Sequence, residues 1–217
     1  MEARTEIVGF EGRAGRIDCA LDWPAGEPRG WALVLHPHPL HGGARDNKVV
    51  TTIARACLQH DLAVARPNFR GVGASEGTFD KAVGETRDMI GLVAQFRERH
   101  PDLAARPWAL GGFSFGTAVA AGVHAGLKAA GEARLPAALV LAGAAVNRFQ
   151  PADIAAPPDT LLVHGERDDV VPCSEAMDWA RTRDLPVVVI PDATHFFHGK
   201  LLILRQLVID KLTVALS

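Results

Sequence analysis

The chain has 217 residues, a formal net charge of −2 and 48% hydrophobic residues, enough for one large α/β unit with a buried core. The near-neutral balance, without a long run of either sign, argues against nucleic acid or an anionic membrane as the main partner, and no apolar run approaches the ~20 residues of a bilayer span. The first ten residues lack a signal-peptide core, the three cysteines (Cys19, Cys57, Cys173) show no CxxC spacing, and there is no tyrosine; a reduced, cytoplasmic compartment without tyrosine chemistry is therefore expected.

Residues 6–23 read as one or two short strands turned by glycines, an antiparallel edge. From about residue 30, strand-like and helix-like segments alternate, which predicts a mostly parallel sheet with helices on both faces. Residues 31–35 are a continuous apolar run, suited to a central strand. Residues 47–59 carry Val49, Val50, Ile53, Ala54, Cys57 and Leu58 on a helical stripe. Strand 62–67 and helix 81–99 follow, with Met89, Leu92, Val93 and Phe96 inward and Pro101 as the stop. A strand at 108–113 leads into a helix at 117–130. Further strands are expected at 135–142, 160–163 and 186–190, with helices at 174–182 and 200–216. The last helix presents Leu201, Leu204, Val208 and Leu212 on one stripe.

Chemistry-bearing residues fall between these elements. Gly112-Phe113-Ser114-Phe115-Gly116 joins strand to helix as Gly-x-Ser-x-Gly, a sharp turn with one serine at its tip. Such a turn strains the serine backbone, and the flanking glycines let strand and helix approach. A serine hydroxyl needs a base to become a nucleophile, normally a histidine oriented by a carboxylate. The carboxylates stand after the strand at 160–163, in His164-Gly165-Glu166-Arg167-Asp168-Asp169. Asp168 lies nearest the strand end; Asp169 is expected to face solvent or cap a turn. His195 and His198 compete for the base in the loop after the last strand. All these positions are C-terminal strand ends, where open α/β sheets place their sites.

These motifs resemble those of the α/β-hydrolase superfamily. Gly112 to Gly116 matches its nucleophile elbow and His164-Gly165-Glu166-Arg167-Asp168 its H-G-x-x-D acid motif. Phe69-Arg70-Gly71-Val72-Gly73-Ala74-Ser75 matches its R-G-x-G-x-S loop, and His36-Pro37-His38-Pro39-Leu40-His41-Gly42-Gly43 occupies its oxyanion loop. With Asp46-Asn47-Lys48 and His195-Phe196-Phe197-His198-Gly199, residues 31–217 are similar to a small lidless bacterial subgroup of serine hydrolases, related to dienelactone hydrolases and carboxylesterases. The resemblance implies one α/β-hydrolase domain over residues 1–217, with a mostly parallel sheet, helices on both faces and no cap; the gap of about 17 residues after Ala142 is too short for one. It implies Ser114 as nucleophile, Asp168 as orienting acid and His195 as base. It places one oxyanion donor at the N–H of Phe115 and a second in the loop from His36 to Gly43, where Pro37 and Pro39 have no N–H; counting two residues past the strand end favours His38, with Leu40 the next candidate. The chain departs from dienelactone hydrolases in having serine for their cysteine, and from many relatives in opening the oxyanion loop with His-Pro rather than His-Gly.

The expected function is a serine hydrolase cleaving esters of small or short-acyl substrates, with no metal or organic cofactor. The alternatives are a peptidase or acyltransferase using the same triad, or a non-catalytic binding relative, which an intact triad argues against. A metal site on His36, His38 and His41 is opposed by the intervening prolines and by the lack of a nearby carboxylate or thiolate. Arg70-Gly71-Val72-Gly73 lacks the Lys-Ser/Thr of a phosphate loop and reads as a tight turn. Phe79, Phe113, Phe115, Phe149, Phe196 and Phe197 are acyl-pocket candidates, with Phe113 and one of Phe196 and Phe197 the candidates for the core.

Overall fold

The computed structural model describes residues 2–151 and 153–216. The first segment forms two full strands, β1 (Arg4–Gly12) and β2 (Gly15–Trp23), paired antiparallel from Arg4 opposite Trp23 to Gly12 opposite Gly15. Gly15 takes φ 111° at the turn, a region open to glycine. Six strands follow: β3 (Gly30–Leu35), β4 (Leu62–Pro67), β5 (Trp108–Phe113), β6 (Ala138–Ala142), β7 (Leu161–Gly165) and β8 (Val187–Ile190). They run parallel to one another, while β2 meets β4 antiparallel, so the sheet order is β1-β2-β4-β3-β5-β6-β7-β8.

Every residue of β3, β4, β5 and β6 is buried, because helices cover both faces. Alternation along a strand then feeds two cores. Trp31, Leu33 and Leu35 face one layer, where Trp31 stacks on Trp108 at 4.5 Å and on Phe96 at 4.3 Å. That layer is closed by α2 (Val83–Arg99) and α4 (Phe115–Ala129). Ala32 and Val34 face the other, closed by α1 (Lys48–Gln59) and α7 (Leu201–Ala215). α1 is capped by Asn47, whose side chain accepts the Val49 N–H at 2.9 Å. In α7 the inward stripe is Leu204, Val208 and Leu212, all fully buried, with Leu201 only partly covered; each such side chain contributes about 1.5–3 kcal/mol of burial.

Several boundaries move. α2 starts two residues later than the periodicity suggests, because Lys81 and Ala82 sit at φ 50° and 71°. Pro101 opens a further turn, α3 (Pro101–Ala104), after the break at His100. β6 starts at Ala138 rather than 135; Pro136 has no N–H to give a ladder. Among the described residues, only the one-turn helix α5 (Val146–Phe149) stands between β6 and β7, and no cap domain interrupts the chain there. Within this connection the sequence suggests one helical turn at residues 151–155, which includes Ala152, a residue outside the described ones; beside it the Ile154 N–H donates to the Pro151 carbonyl at 3.0 Å. α6 (Cys173–Arg181) follows β7. Among the described residues no helix is long and apolar enough to cross a membrane.

Candidate active site

β5 ends at Phe113 and α4 begins at Phe115, two residues earlier than expected, so Ser114 alone makes the turn at φ 53°, ψ −120°. A conformation of that kind costs on the order of 1–3 kcal/mol and persists only where its surroundings impose it. Here the Ser114 N–H donates to the Ala142 carbonyl at 2.9 Å. Its own carbonyl accepts from the Thr117 N–H at 2.9 Å and the Thr117 hydroxyl at 2.5 Å. A Cβ on Gly112 would lie 2.3 Å from the Gly116 carbonyl oxygen, and one on Gly116 2.5 Å from that of Leu35. Both glycines of the motif are thus required by close backbone approach.

β7 extends through His164 and Gly165, paired with Val189 and Ile190, two residues past its apolar run. The loop beyond it buries Asp168 and leaves Asp169 exposed. The following loop is fastened to this one: the Glu166 N–H donates to Ile190 at 3.1 Å and the Arg167 N–H to Ala193 at 2.9 Å. A Cβ on Gly165 would stand 2.4 Å from the Ala193 carbonyl oxygen. The loop end brings in His195, which is buried, whereas His198 is exposed. His195 Nε2 lies 2.9 Å from Ser114 Oγ, and its Nδ1 lies 2.7 Å from Asp168 Oδ2. An acceptor-only carboxylate at Nδ1 fixes the proton there and leaves Nε2 free to accept the serine hydroxyl.

Asp168 is held as a carboxylate. Burial alone would raise its pKa, but the imidazoles of His164 and His195 and the Val171 N–H outweigh it and hold the group well below the usual carboxylate range. Oδ1 accepts the N–H groups of Val170 at 3.0 Å and Val171 at 2.7 Å.

The loop after β3 contains a 3-10 turn, Pro39–His41. His36 is fully buried; its Nδ1–H donates to the Pro37 carbonyl at 2.7 Å and its Nε2 accepts the Phe69 N–H at 2.8 Å. Both ring nitrogens are thus spent, Nδ1 within its own loop and Nε2 in tying that loop to the one after β4. The His38 ring accepts the Leu40 N–H at 3.2 Å, and its carbonyl accepts the N–H groups of His41 and Gly43. The Leu40 N–H is therefore occupied, while the His38 N–H has no acceptor among the described residues. With both its nitrogens committed, the His36 ring has no lone pair to offer a metal ion. The Phe115 N–H, at the first position of α4, has no helical acceptor either.

Ser114 and His195 lie at the base of a cleft of about 470 Å³ walled by His38, Phe115, Arg148, Phe149, Val171 and Phe196. Of the candidate phenylalanines, Phe113 and Phe197 belong to the core and Phe196 is 41% exposed beside the His195 ring. Phe79 packs behind His38 at 4.6 Å. Arg148 and Phe149 come from α5, too short to leave a periodic signal in the sequence; Arg148 makes a two-point pair with Glu175 at 2.8 and 2.6 Å. The Arg70 loop is structural: its guanidinium grips Asp88 at 2.5 and 3.0 Å, and Gly71 and Gly73 take φ 71° and 59°.

Sheet order, elbow and the order of serine, acid and histidine along the chain together define a serine hydrolase built on the α/β-hydrolase fold. No family model matches the chain. An uncharacterized protein of Rickettsia prowazekii is 38% identical over 113 residues, 52% of this chain and 47% of that protein, so the match spans about half the length of that relative. A serine hydrolase without lid from Xanthomonas campestris is 31% identical, covering 99% of this chain and 96% of that one with a TM-score of 0.87. An α/β serine hydrolase homologue from Coxiella burnetii is 35% identical, covering 95% and 97%, with a TM-score of 0.79. The chain belongs to the lidless α/β serine hydrolases.

Proposed function

We propose that the protein hydrolyses carboxylic esters with small or short acyl groups through an acyl-enzyme on Ser114. The observation that carries this reading is the contact chain Ser114 Oγ, His195, Asp168, at 2.9 and 2.7 Å, beneath an open cleft. In this scheme His195 Nε2 takes the hydroxyl proton as Oγ attacks the ester carbonyl, and Asp168 stabilises the imidazolium. The carbonyl oxygen gains charge and meets the free N–H groups of Phe115 and His38, the latter in preference to Leu40; one such donor is worth about 3–4 kcal/mol in the transition state. The alcohol leaves with the proton from His195. Water, deprotonated by the same nitrogen, then releases the acid and restores Ser114. Without a cap the cleft covers little of a long chain, and each CH₂ left in water forfeits about 0.8 kcal/mol, which favours acyl groups of roughly C2 to C6. Residues 1–217 act as one unit in this reading. A reducing, cytoplasmic setting suits its three free cysteines.

The test is fluorophosphonate labelling with Ser114→Ala as control, followed by p-nitrophenyl esters from C2 to C12 assayed below their critical micelle concentration. Labelling of the wild type alone, with the best kcat/KM at C2 to C6, is expected. An unlabelled wild type would remove the nucleophile, and a maximum at C12 would remove the short-acyl preference.

A further inference from the structure

We propose that His164 is a positioning residue for the triad: its Nε2–H fixes Asp168 and shares that carboxylate's charge, and so sets how firmly His195 holds its proton. The proposal rests on the serine-hydrolase reading above. His164 is the one polar side chain in β7, after Leu161, Leu162 and Val163, and it is fully buried. Its Nε2 lies 2.8 Å from the Val171 carbonyl oxygen and 3.1 Å from Asp168 Oδ2. A carbonyl and a carboxylate only accept, so Nε2 carries the hydrogen. The N–H is aimed chiefly at Val171, whose own N–H donates to Asp168 Oδ1 at 2.7 Å. One imidazole therefore holds Val171 by its carbonyl while the N–H of the same residue, in the preceding peptide unit, holds the carboxylate, and the same imidazole N–H dipole lies against Oδ2.

The other ring nitrogen, Nδ1, is buried without a partner. Leaving such a group unsatisfied is destabilising, and a leucine there would leave no polar atom stranded. What Nε2 does for Asp168 offsets that cost. Besides Asp168 and His195, the charged or titratable groups acting on this spot are Glu175 and its partner Arg148, together with Glu166 and Cys173. Removing the Nε2–H concentrates negative charge on the oxygen that faces His195, so the imidazolium becomes harder to deprotonate.

The experiment measures kcat and KM against pH, with p-nitrophenyl acetate, for wild type, His164→Leu, His164→Gln and His164→Asn. The far-downfield proton resonance of the His195 Nδ1–H is recorded for each. His164→Leu is expected to lower kcat about 10-fold or more with little change in KM, and to move the acid limb of kcat/KM upward by about half a pH unit. The resonance should move with it. Gln, whose amide nitrogen reaches the position of the ring Nε2, should restore the limb and the resonance; Asn is one carbon too short and should not. A lower kcat with limb and resonance unmoved, or Gln indistinguishable from Leu, would overturn the proposal in favour of packing alone. If the Leu variant fails to fold by circular dichroism, the Gln and Asn pair decides between the same outcomes. Absence of fluorophosphonate labelling in the wild type would defeat the function proposed above, while the resonance series still tests His164.

Discussion

His36 should write its titration into the stability of the whole protein. Its ring is sealed between the Pro37 carbonyl and the Phe69 N–H, at 2.7 and 2.8 Å. A proton on Nε2 would set two donors against each other. Burial, aided by Arg45 and opposed by the Pro37 hydrogen bond, lowers its pKa from 6.5 to about 4. The unfolded chain therefore takes up the proton first as pH falls. The stability this residue contributes is complete above about pH 6.5, erodes as pH falls toward 4, and changes no further below it. Over the interval from 6.5 to about 4, at 1.36 kcal/mol per unit, the loss is about 3 kcal/mol. The assay is urea unfolding in steps from pH 7 to pH 4, on wild type and His36→Gln. The Gln carbonyl can accept the Phe69 N–H but does not titrate. The variant starts less stable, because the Pro37 carbonyl loses its donor, by about 1 kcal/mol. On acidification the two curves should converge and then cross, the variant ending the more stable near pH 4. With a urea m-value of about 2–3 kcal/mol/M, the difference in midpoint should change by about 1–1.5 M. Acid losses common to both proteins, such as protonation of Asp168, cancel in the comparison. Parallel curves would refute the account of His36 as a buried neutral clamp.

Two further outcomes are expected. Asp168→Asn should lower kcat about 10⁴-fold, as loss of the carboxylate upsets the histidine tautomer, while Asp169→Asn, at an exposed position, should leave it nearly unchanged; steady-state kinetics on a short ester checks the order, and the reverse order would move the acid to Asp169. Phe149 lines both the catalytic cleft and a groove bounded by Ala82, Gly122, Ala125 and Gly126; Phe149→Ala should join the two and raise kcat/KM for octanoate relative to butyrate, whereas an unchanged ratio would show that the chain takes another path.

The strands were legible because burial on both faces demands unbroken apolar runs, and the elbow because its glycines answer to backbone collisions. Hydropathy failed where a polar side chain continues a ladder: His164 reads as loop, yet pairs with Val189 inside β7. It failed again for α5, whose four residues are too few for a period, so the cleft wall at Arg148 and Phe149 carried no helical signature. For the second oxyanion position, counting past the strand end favoured His38 over Leu40 but gave no physical reason to exclude Leu40. What separates them is where the His38 ring turns, for it captures the Leu40 N–H, and ring direction in an irregular loop is set by contacts remote in sequence, here Phe79 and Phe115.

The triad is hung from three strands, but not from three independent supports. β8, which leads to His195, is a four-residue edge strand that, among the described residues, pairs only with β7, the strand that leads to Asp168. Their two loops are laced together by Glu166, Arg167 and Asp192. Acid and base therefore ride on one raft, while the serine stands across β6 on a separate shore, with Ala142 as its mooring. Local opening at the sheet edge, where stability is lowest, would carry histidine and aspartate away together. The span that stretches first is then Ser114 to His195, and the protein would lose its nucleophile's partner while keeping both its acid–base pair and most of its fold.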